Sequence, residues 1–385
     1  MNALEAQLHY PFGDTLPAAG CALEVAPGVK WLRMGLPFAL DHINLWLLRD
    51  HAEGPEGVRE GWAIVDCGIT DDATRASWEQ VFATALEGLP VLRVIVTHMH
   101  PDHIGLAHWL TERWQCPLWI SATDWNAARL ASQSTTGFGG EAAARHFATH
   151  GLNDPASIDK IRRRANYYAA MVPAVPDRYH RLMGGRRLRI GGQDWRCLAG
   201  YGHAPEHIAL YREGGQGGQS DQAGDTASVL ISGDMVLPRI STNVSVIDLE
   251  PEGDPLTLYL ESIEALRPLA ADTLVLPSHG RPFGGITPAV AGEGAPPPPG
   301  TQGLHARIDQ LQAHHAERFK EVLATCATAP TSAAELLPVL FKRPLDLHQT
   351  TFAMGEAIAH LHALWFQGRL KRLPGADGVL RFTLA

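Results

Sequence analysis

The chain has 385 residues, 45% hydrophobic and 19% charged, with 32 Lys and Arg against 41 Asp and Glu for a net charge of −9. This is the balance of a globular protein with room for one large domain and a smaller one, and its acidity argues against a protein that coats nucleic acid. No apolar run approaches the roughly 20 residues of a membrane helix, and the opening MNALEAQLHYPFGD lacks the basic and apolar regions of a secretory signal, so a cytoplasmic protein with no membrane partner is expected.

Short apolar runs alternate with helical stretches as far as residue 280. Strands are predicted at 42–50, 62–66, 92–97, 117–121, 194–199, 207–212, 228–234 and 272–278, and helices at 71–88, 103–115, 155–172 and 254–267. Such interleaving indicates an α/β class with helices covering the sheets. The Gly-, Gln- and Ser-rich stretch 213–225 reads as a hairpin loop. GEGAPPPPGTQG, 292–303, cannot continue a helix or a central strand and reads as a linker.

Beyond it the pattern predicts a long amphipathic helix from 304, a second helix opened by a Ser332–Glu335 capping box, and a third ending at Gly368. A strand, a turn and a strand follow, which together give the outline of a winged helix. The expected division is an α/β domain over 1–290 with a helical, basic insertion at about 124–190, a linker at 291–303, and a winged-helix-like domain at 304–385. The five cysteines, Cys21, Cys67, Cys116, Cys197 and Cys326, are scattered with no C-x-x-C pair. They predict small buried hydrophobes in a reducing compartment.

The chemistry concentrates in VIVTHMHPDHIG, residues 94–105, where His98, His100, Asp102 and His103 follow an apolar strand. Imidazole and carboxylate suit zinc, iron or manganese. His98 and His100, two apart in extended chain, project to one side, while Asp102 and His103 open the next helix, so one loop can serve two neighbouring ions. Asp66, His203, Asp234 and His279 also end apolar strands beside small residues, which is where α/β folds build sites.

This ordered set, Asp66, His98-x-His100-x-Asp102-His103, His203, Asp234 and His279, resembles the five motifs of the metallo-β-lactamase superfamily across residues 30–285. The resemblance implies an αββα sandwich with a dinuclear site at one edge. It assigns His98, His100 and His203 to a first metal and Asp102, His103 and His279 to a second, with Asp234 bridging. Asp66 becomes the carboxylate that orients ligands from behind. Two divalent ions, zinc foremost with iron or manganese open, would acidify a bridging water towards a pKa of about 7 and make hydrolysis the reaction. Asp102 would orient that hydroxide and relay its proton.

The substrate is less determined, because many chemistries share such a scaffold. Antibiotic-hydrolysing members commonly carry cysteine where Asp234 stands and begin with an export signal. The chain is more similar to glyoxalase II-like hydrolases with an added C-terminal winged helix, which implies a thioester, ester or lactone. A related endoribonuclease keeps phosphodiesters open, and a nucleic-acid-binding protein with a structural metal site is the rival from another class.

Residues 160–190 carry nine basic side chains and one acid, leaving −17 on the rest of the chain. Arg162, Arg163, Arg164, Tyr167 and Tyr168 within it are candidates to hold an anionic small-molecule substrate, against the plainer reading of pairs with acidic neighbours. His207 is a candidate to hydrogen-bond substrate or an oxyanion, or else a structural histidine opening a strand. Asp41–Asn44, Tyr201 and Asn243 are candidate pocket residues.

His360-x-His362 and His314-His315 lie within helices, where such neighbours face different ways, and are expected not to ligate. The segment 304–385, with nine basic and seven acidic residues, is too weakly charged for a typical DNA reader. It is expected to pack on the larger domain or on a second copy in a homodimer.

Overall fold

Strands with apolar residues on both sides of the pleat must be covered on both faces, and most strands here are of that kind. The computed structural model describes residues 4–38, 40–54, 57–135, 138–215, 227–287 and 298–385. Strands β1 (Leu23–Ala26), β2 (Val29–Gly35), β3 (His42–Gly54), β4 (Gly57–Val65), β5 (Val91–Ile95), β6 (Leu118–Ser121) and β7 (His180–Leu182) form one sheet in chain order. The β4–β5, β5–β6 and β6–β7 pairs are parallel.

A second sheet holds β8 (Arg187–Ile190), β9 (Gln193–Gly200), β10 (His207–Arg212), β11 (Val229–Gly233), β12 (Leu274–Pro277) and β13 (Phe283–Gly284), also in chain order across the sheet. Only β11 and β12 run parallel within it. A separate hairpin joins β14 (Leu370–Pro374) to β15 (Leu380–Leu384).

Alternation decides the layers. On β3, Trp46 and Leu48 face the second sheet, together with Ala63 and Val65 of β4, and meet Ile208, Leu210, Val229, Ile231 and Leu276 there. The intervening Ile43, Leu45, Leu47, Trp62 and Ile64 face outward. They are covered by α1 (Asp72–Thr84), α2 (Pro101–Ile104), α3 (Ala107–Trp114) and α4 (Ala122–Gln133), through Trp78, Val81, Ile104, Leu110 and Ala128. Three further helices follow: α5 (Gly140–Thr149), α6 (Pro155–Arg163) and α7 (Tyr167–Met171).

The outer face of the second sheet, with Ala209, Tyr211, Leu230 and Val275, is covered by α8 (Pro255–Glu264), α9 (Leu304–Thr328), α10 (Ala333–Leu340) and α11 (Leu347–Phe366). The result is the expected αββα sandwich followed by a helical unit. No helix among the described residues is long and apolar enough to cross a membrane.

Every strand predicted from the sequence is present, and the capping box at Ser332 forms with both of its hydrogen bonds. Several elements differ. The helix expected over 103–115 is two pieces, α2 and α3, and the one over 155–172 breaks into α6 and α7 because Asn166 takes a left-handed φ of 54°. Strands β1, β2, β7, β8 and β13 and helices α4 and α5 were not anticipated individually.

Residues 180–190 lie in β7 and β8 rather than in a helical insertion, and these are edge strands of the two sheets. Their Arg181, Arg187 and Arg189 side chains are exposed. Charge on an edge strand opposes pairing with another sheet, which accounts for part of the basic segment. Most of the 213–225 loop and half of the 292–303 proline stretch lie outside the described residues.

The helical unit and the sandwich share one apolar cluster, in which Leu256, Tyr259, Ile263 and Phe283 pack with Leu304, Ile308, Leu336 and Ile358. A chain ending at residue 303 would therefore expose the outer face of the second sheet. It is expected to give no cooperative unfolding transition by circular dichroism, whereas the full chain unfolds cooperatively.

Candidate metal centre

Three imidazole nitrogens meet at the edge where strand ends of both sheets converge. His98 Nε2, His100 Nδ1 and His203 Nε2 lie 2.9, 3.0 and 3.2 Å from one another. The far sides of two of these rings fix their tautomers. His98 Nδ1 donates to Thr97 Oγ1 at 3.0 Å, because that hydroxyl spends its own proton on Asp66. His203 Nδ1 donates to the Asn243 carbonyl at 2.7 Å. Both Nε2 atoms therefore present lone pairs to each other, and two lone pairs cannot bond. A cation at their centre is the partner that suits them.

Burial and the neighbouring imidazoles hold His98 well below the usual histidine range, and burial followed by His203 brings His100 to about 3. His98 and His100 are thus neutral donors.

A second nest adjoins it. Asp102 Oδ2 lies 3.7 Å from His103 Nε2 and 3.4 Å from His279 Nε2, and Asp234 Oδ1 lies 3.5 Å from both rings. Among the described residues, His103 Nε2 and Asp234 Oδ1 are buried with no hydrogen-bond partner. Asp234 Oδ2 turns the other way, 3.3 Å from His203 Nε2. One carboxylate therefore addresses both nests. Burial lowers the basicity of His103 and His279, yet the surrounding carboxylates override it, raising His103 strongly and His279 to about 10. A site that holds protons so firmly is electronegative, and the same field attracts a metal ion. Donor type, spacing and field all fit divalent cations.

The framework behind the ligands is as specific as the ligands. Asp66, the first residue after β4, has a left-handed φ of 62°. Its carboxylate accepts from Thr97 N at 2.8 Å and from His103 Nδ1 at 2.8 Å, which turns His103 Nε2 towards the nest. His279 Nδ1 donates to the His42 carbonyl at 2.7 Å, and Gly280 N donates to His42 Nε2 at 2.8 Å. Asn44 stitches the sheets together, accepting from Trp31 Nε1 and donating to the carbonyls of Pro277 and Gly280 at 2.8 and 2.9 Å.

His207 is fully buried, and its Nε2 accepts from the Asp234 amide at 3.2 Å. A Cβ at Gly233 would lie 2.1 Å from that nitrogen, so only glycine lets the two loops meet. In this place His207 holds Asp234 and faces no solvent.

Two residues of the framework escaped the sequence reading. Thr97 links Asp66 to His98. Asp124, fully buried at the start of α4, accepts from Met99 N and from Glu206 N, both at 2.7 Å, and so ties the 98–103 loop to the loop carrying His203. Burial outweighs those donors and pushes its carboxyl up to about 6. In sequence, Ser121-x-x-Asp124 reads only as an ordinary helix start.

The substrate candidates separate. Arg162 and Arg163 are exposed and paired with Glu141 and Asp159 at 2.6 and 3.1 Å. Arg164 is half-buried, 5.0 Å above the Tyr167 ring. Tyr168 is buried and donates to the Met99 carbonyl at 2.5 Å, a bracing contact for the metal loop. Tyr201 is 40% exposed. His360 and His362 do diverge, His360 Nε2 meeting His315 and His362 Nδ1 donating to the Gly253 carbonyl.

Removing the Asp66 carboxylate with Asp66→Ala should weaken metal binding at the nest containing His103 by roughly 10- to 100-fold, read by competition with a chromophoric chelator. Asn44→Ala leaves two buried carbonyls and the Trp31 N–H without partners. It should lower stability by about 2–3 kcal/mol in denaturant unfolding.

Comparison with known proteins agrees with this geometry. The family model of the metallo-beta-lactamase superfamily matches residues 41–217, and that of the metallo-beta-lactamase-like C-terminal domain matches 319–385. A crystal structure of a beta-lactamase domain protein from Burkholderia ambifaria is 54% identical over 100% of both chains, with a TM-score of 0.86. A metallo-beta-lactamase family protein from Thermus thermophilus is 27% identical, covers 94% of this chain and 100% of its own, and has a TM-score of 0.68. The probable metallo-hydrolase YqjP of Bacillus subtilis (strain 168) is 23% identical over 342 residues, 86% of this chain and 91% of its own. The chain belongs to the metallo-β-lactamase superfamily, and it is a metallo-hydrolase whose histidines and aspartates form a cluster capable of metal binding.

Proposed function

We propose that the protein is a dinuclear hydrolase of the glyoxalase II-like branch, zinc-loaded and cytoplasmic, that cleaves a thioester, ester or lactone with an anionic part. The observation that carries the dinuclear reading is Asp234, whose two oxygens are divided between the nests at 3.3 and 3.5 Å. When bound, two divalent cations supply Lewis-acid polarisation of a carbonyl and acidification of water.

The chain's own residues do the rest. His98, His100 and His203 would hold one ion, and His103, His279 and Asp102 the other. Asp102 is the most open of the three carboxylates, its side chain 18% exposed against 10% for Asp234 and 1% for Asp66. It is the one placed to orient a water and take its proton. Arg164 beside Tyr167 supplies positive charge for an anionic substrate.

The free state of all five cysteines supports a reducing location. Three helices followed by the β14–β15 hairpin support a winged-helix kinship for residues 304–385. Helix α11, the one that would read DNA, is buried from Ala353 to Leu364 apart from Glu356, which supports a packing role.

Metal analysis should find two zinc equivalents per chain. A panel of thioesters, lactones, bis-p-nitrophenyl phosphate and single-stranded RNA should show turnover of the first two classes. Chelation should abolish that activity and Asp102→Asn should lower kcat by roughly 100- to 10,000-fold. An apoprotein as active as the loaded protein would sink the mechanism, and turnover confined to the phosphodiesters would move the reading to a nuclease.

A further inference from the structure

Single exposed apolar side chains are ordinary, whereas contiguous aromatic surface beside a catalytic centre is a binding feature. Phe38 is 39% exposed and Phe352 46% exposed, and both lie against His348. The Phe38 ring stacks on that imidazole at 6.0 Å and 15°, and Phe352 meets it edge-on at 5.0 Å and 72°. Tyr167 approaches the same ring at 6.2 Å, its Oη 3.4 Å from His348 Nδ1. The four rings come from three distant stretches: the loop between β2 and β3, α7, and the first turns of α11.

Each stretch is anchored to a metal ligand. The loop of Phe38 runs into His42, which holds His279 through its carbonyl. Tyr167 is followed by Tyr168, which bonds the Met99 carbonyl between His98 and His100. Phe352 lies one turn before Gly355, whose carbonyl accepts from Val246 N at 3.2 Å. A Cβ at Gly355 would meet Ser245 at 2.6 Å, and Ser245 Oγ bonds Asn243, the residue whose carbonyl orients His203. The rings thus form one patch, gathered at His348, whose three stretches each lead to a ligand-bearing loop. Burial, with the charge of Asp102 added, raises the Tyr167 phenol, in keeping with a ring close to the second nest.

Resting on the hydrolase reading above, we propose that Phe38, Tyr167, His348 and Phe352 form the acyl-binding subsite, and that the substrate carries an aromatic or extended apolar acyl group. Flat rings give such a group a large, rigid contact area. Helix α11 is then a wall of the substrate pocket as well as a core element. Phe38 and Phe352 determine specificity, and Arg164 adds a cation to the rim beside Tyr167.

The test compares zinc-loaded wild type with Phe38→Ala and Phe352→Ala, two exposed positions on separate stretches. Acetyl, octanoyl and phenylacetyl thioesters of N-acetylcysteamine serve as substrates. Each variant should raise KM for the octanoyl and phenylacetyl compounds by about tenfold, with kcat and the acetyl compound changed less than about twofold. Binding of 4-phenylbutyrate, with acetate as control, is measured by calorimetry and reads the subsite without turnover. If 4-phenylbutyrate binds wild type and weakens in both variants while no thioester is cleaved, the subsite stands and the ester-hydrolase reading fails. Equal affinity in wild type and variants, or no preference for 4-phenylbutyrate over acetate, overturns the subsite.

Discussion

Lone pairs aimed at one point repel, and the rest of the molecule is arranged to hold them there. His98, His100 and His203 come from two loops and two sheets, and the His98 and His203 Nε2 lone pairs repel unless a cation, or a proton on His100 Nδ1, lies between them. What holds them is a seam of hydrogen bonds joining the sheets at that edge. Ile208 N donates to the Thr97 carbonyl and Asn44 N to that of Ser278, while within the second sheet Ser278 N donates to the Gly233 carbonyl and ties the strand ends that carry Asp234 and His279. Asp124 adds a carboxylate between the two loops. The left-handed backbone of Asp66 and the glycine at 233 are local costs of the same kind, kept because the surrounding structure fixes them.

The ligands themselves were legible because each is a polar residue stranded at the end of an apolar run, and such a residue has no role in a core. The layers were legible for a similar reason: strands such as HIALYR, buried along their whole length, have no solvent face and require cover on both sides. The framework was harder to see. Thr97 and Asp124 are residue types that serve ordinary strands and helix starts equally well, and only the fold brings Asp124 to the Met99 and Glu206 amides. His207 sits four residues from His203 and looks like a second functional group, but the strand it opens is buried, so the ring turns to a backbone amide.

The basic segment shows how one compositional signal can have several causes. Arg162 and Arg163 belong to surface pairs, which contribute little. Arg181, Arg187 and Arg189 guard strand edges, and Arg164 alone stands beside a ring near the metal nests. Read along the chain they form a single patch of charge. The break at Asn166 and the return of the chain to β7 divide it among three unrelated tasks.

The shared apolar cluster bears on how the protein is made. His9 N bonds the Gln302 carbonyl, and Gln310 Nε2 bonds that of Leu4, so residues synthesised first wait for partners synthesised some three hundred residues later. The outer face of the second sheet likewise has only α8 for cover until α9, α10 and α11 have left the ribosome. Domains commonly fold during synthesis, N-terminal parts first, but here the sheet that carries His203 and Asp234 acquires its cover late. The metal ligands thus gain their final rigidity only after the helical unit has emerged, so durable metal capture is tied to completion of that unit.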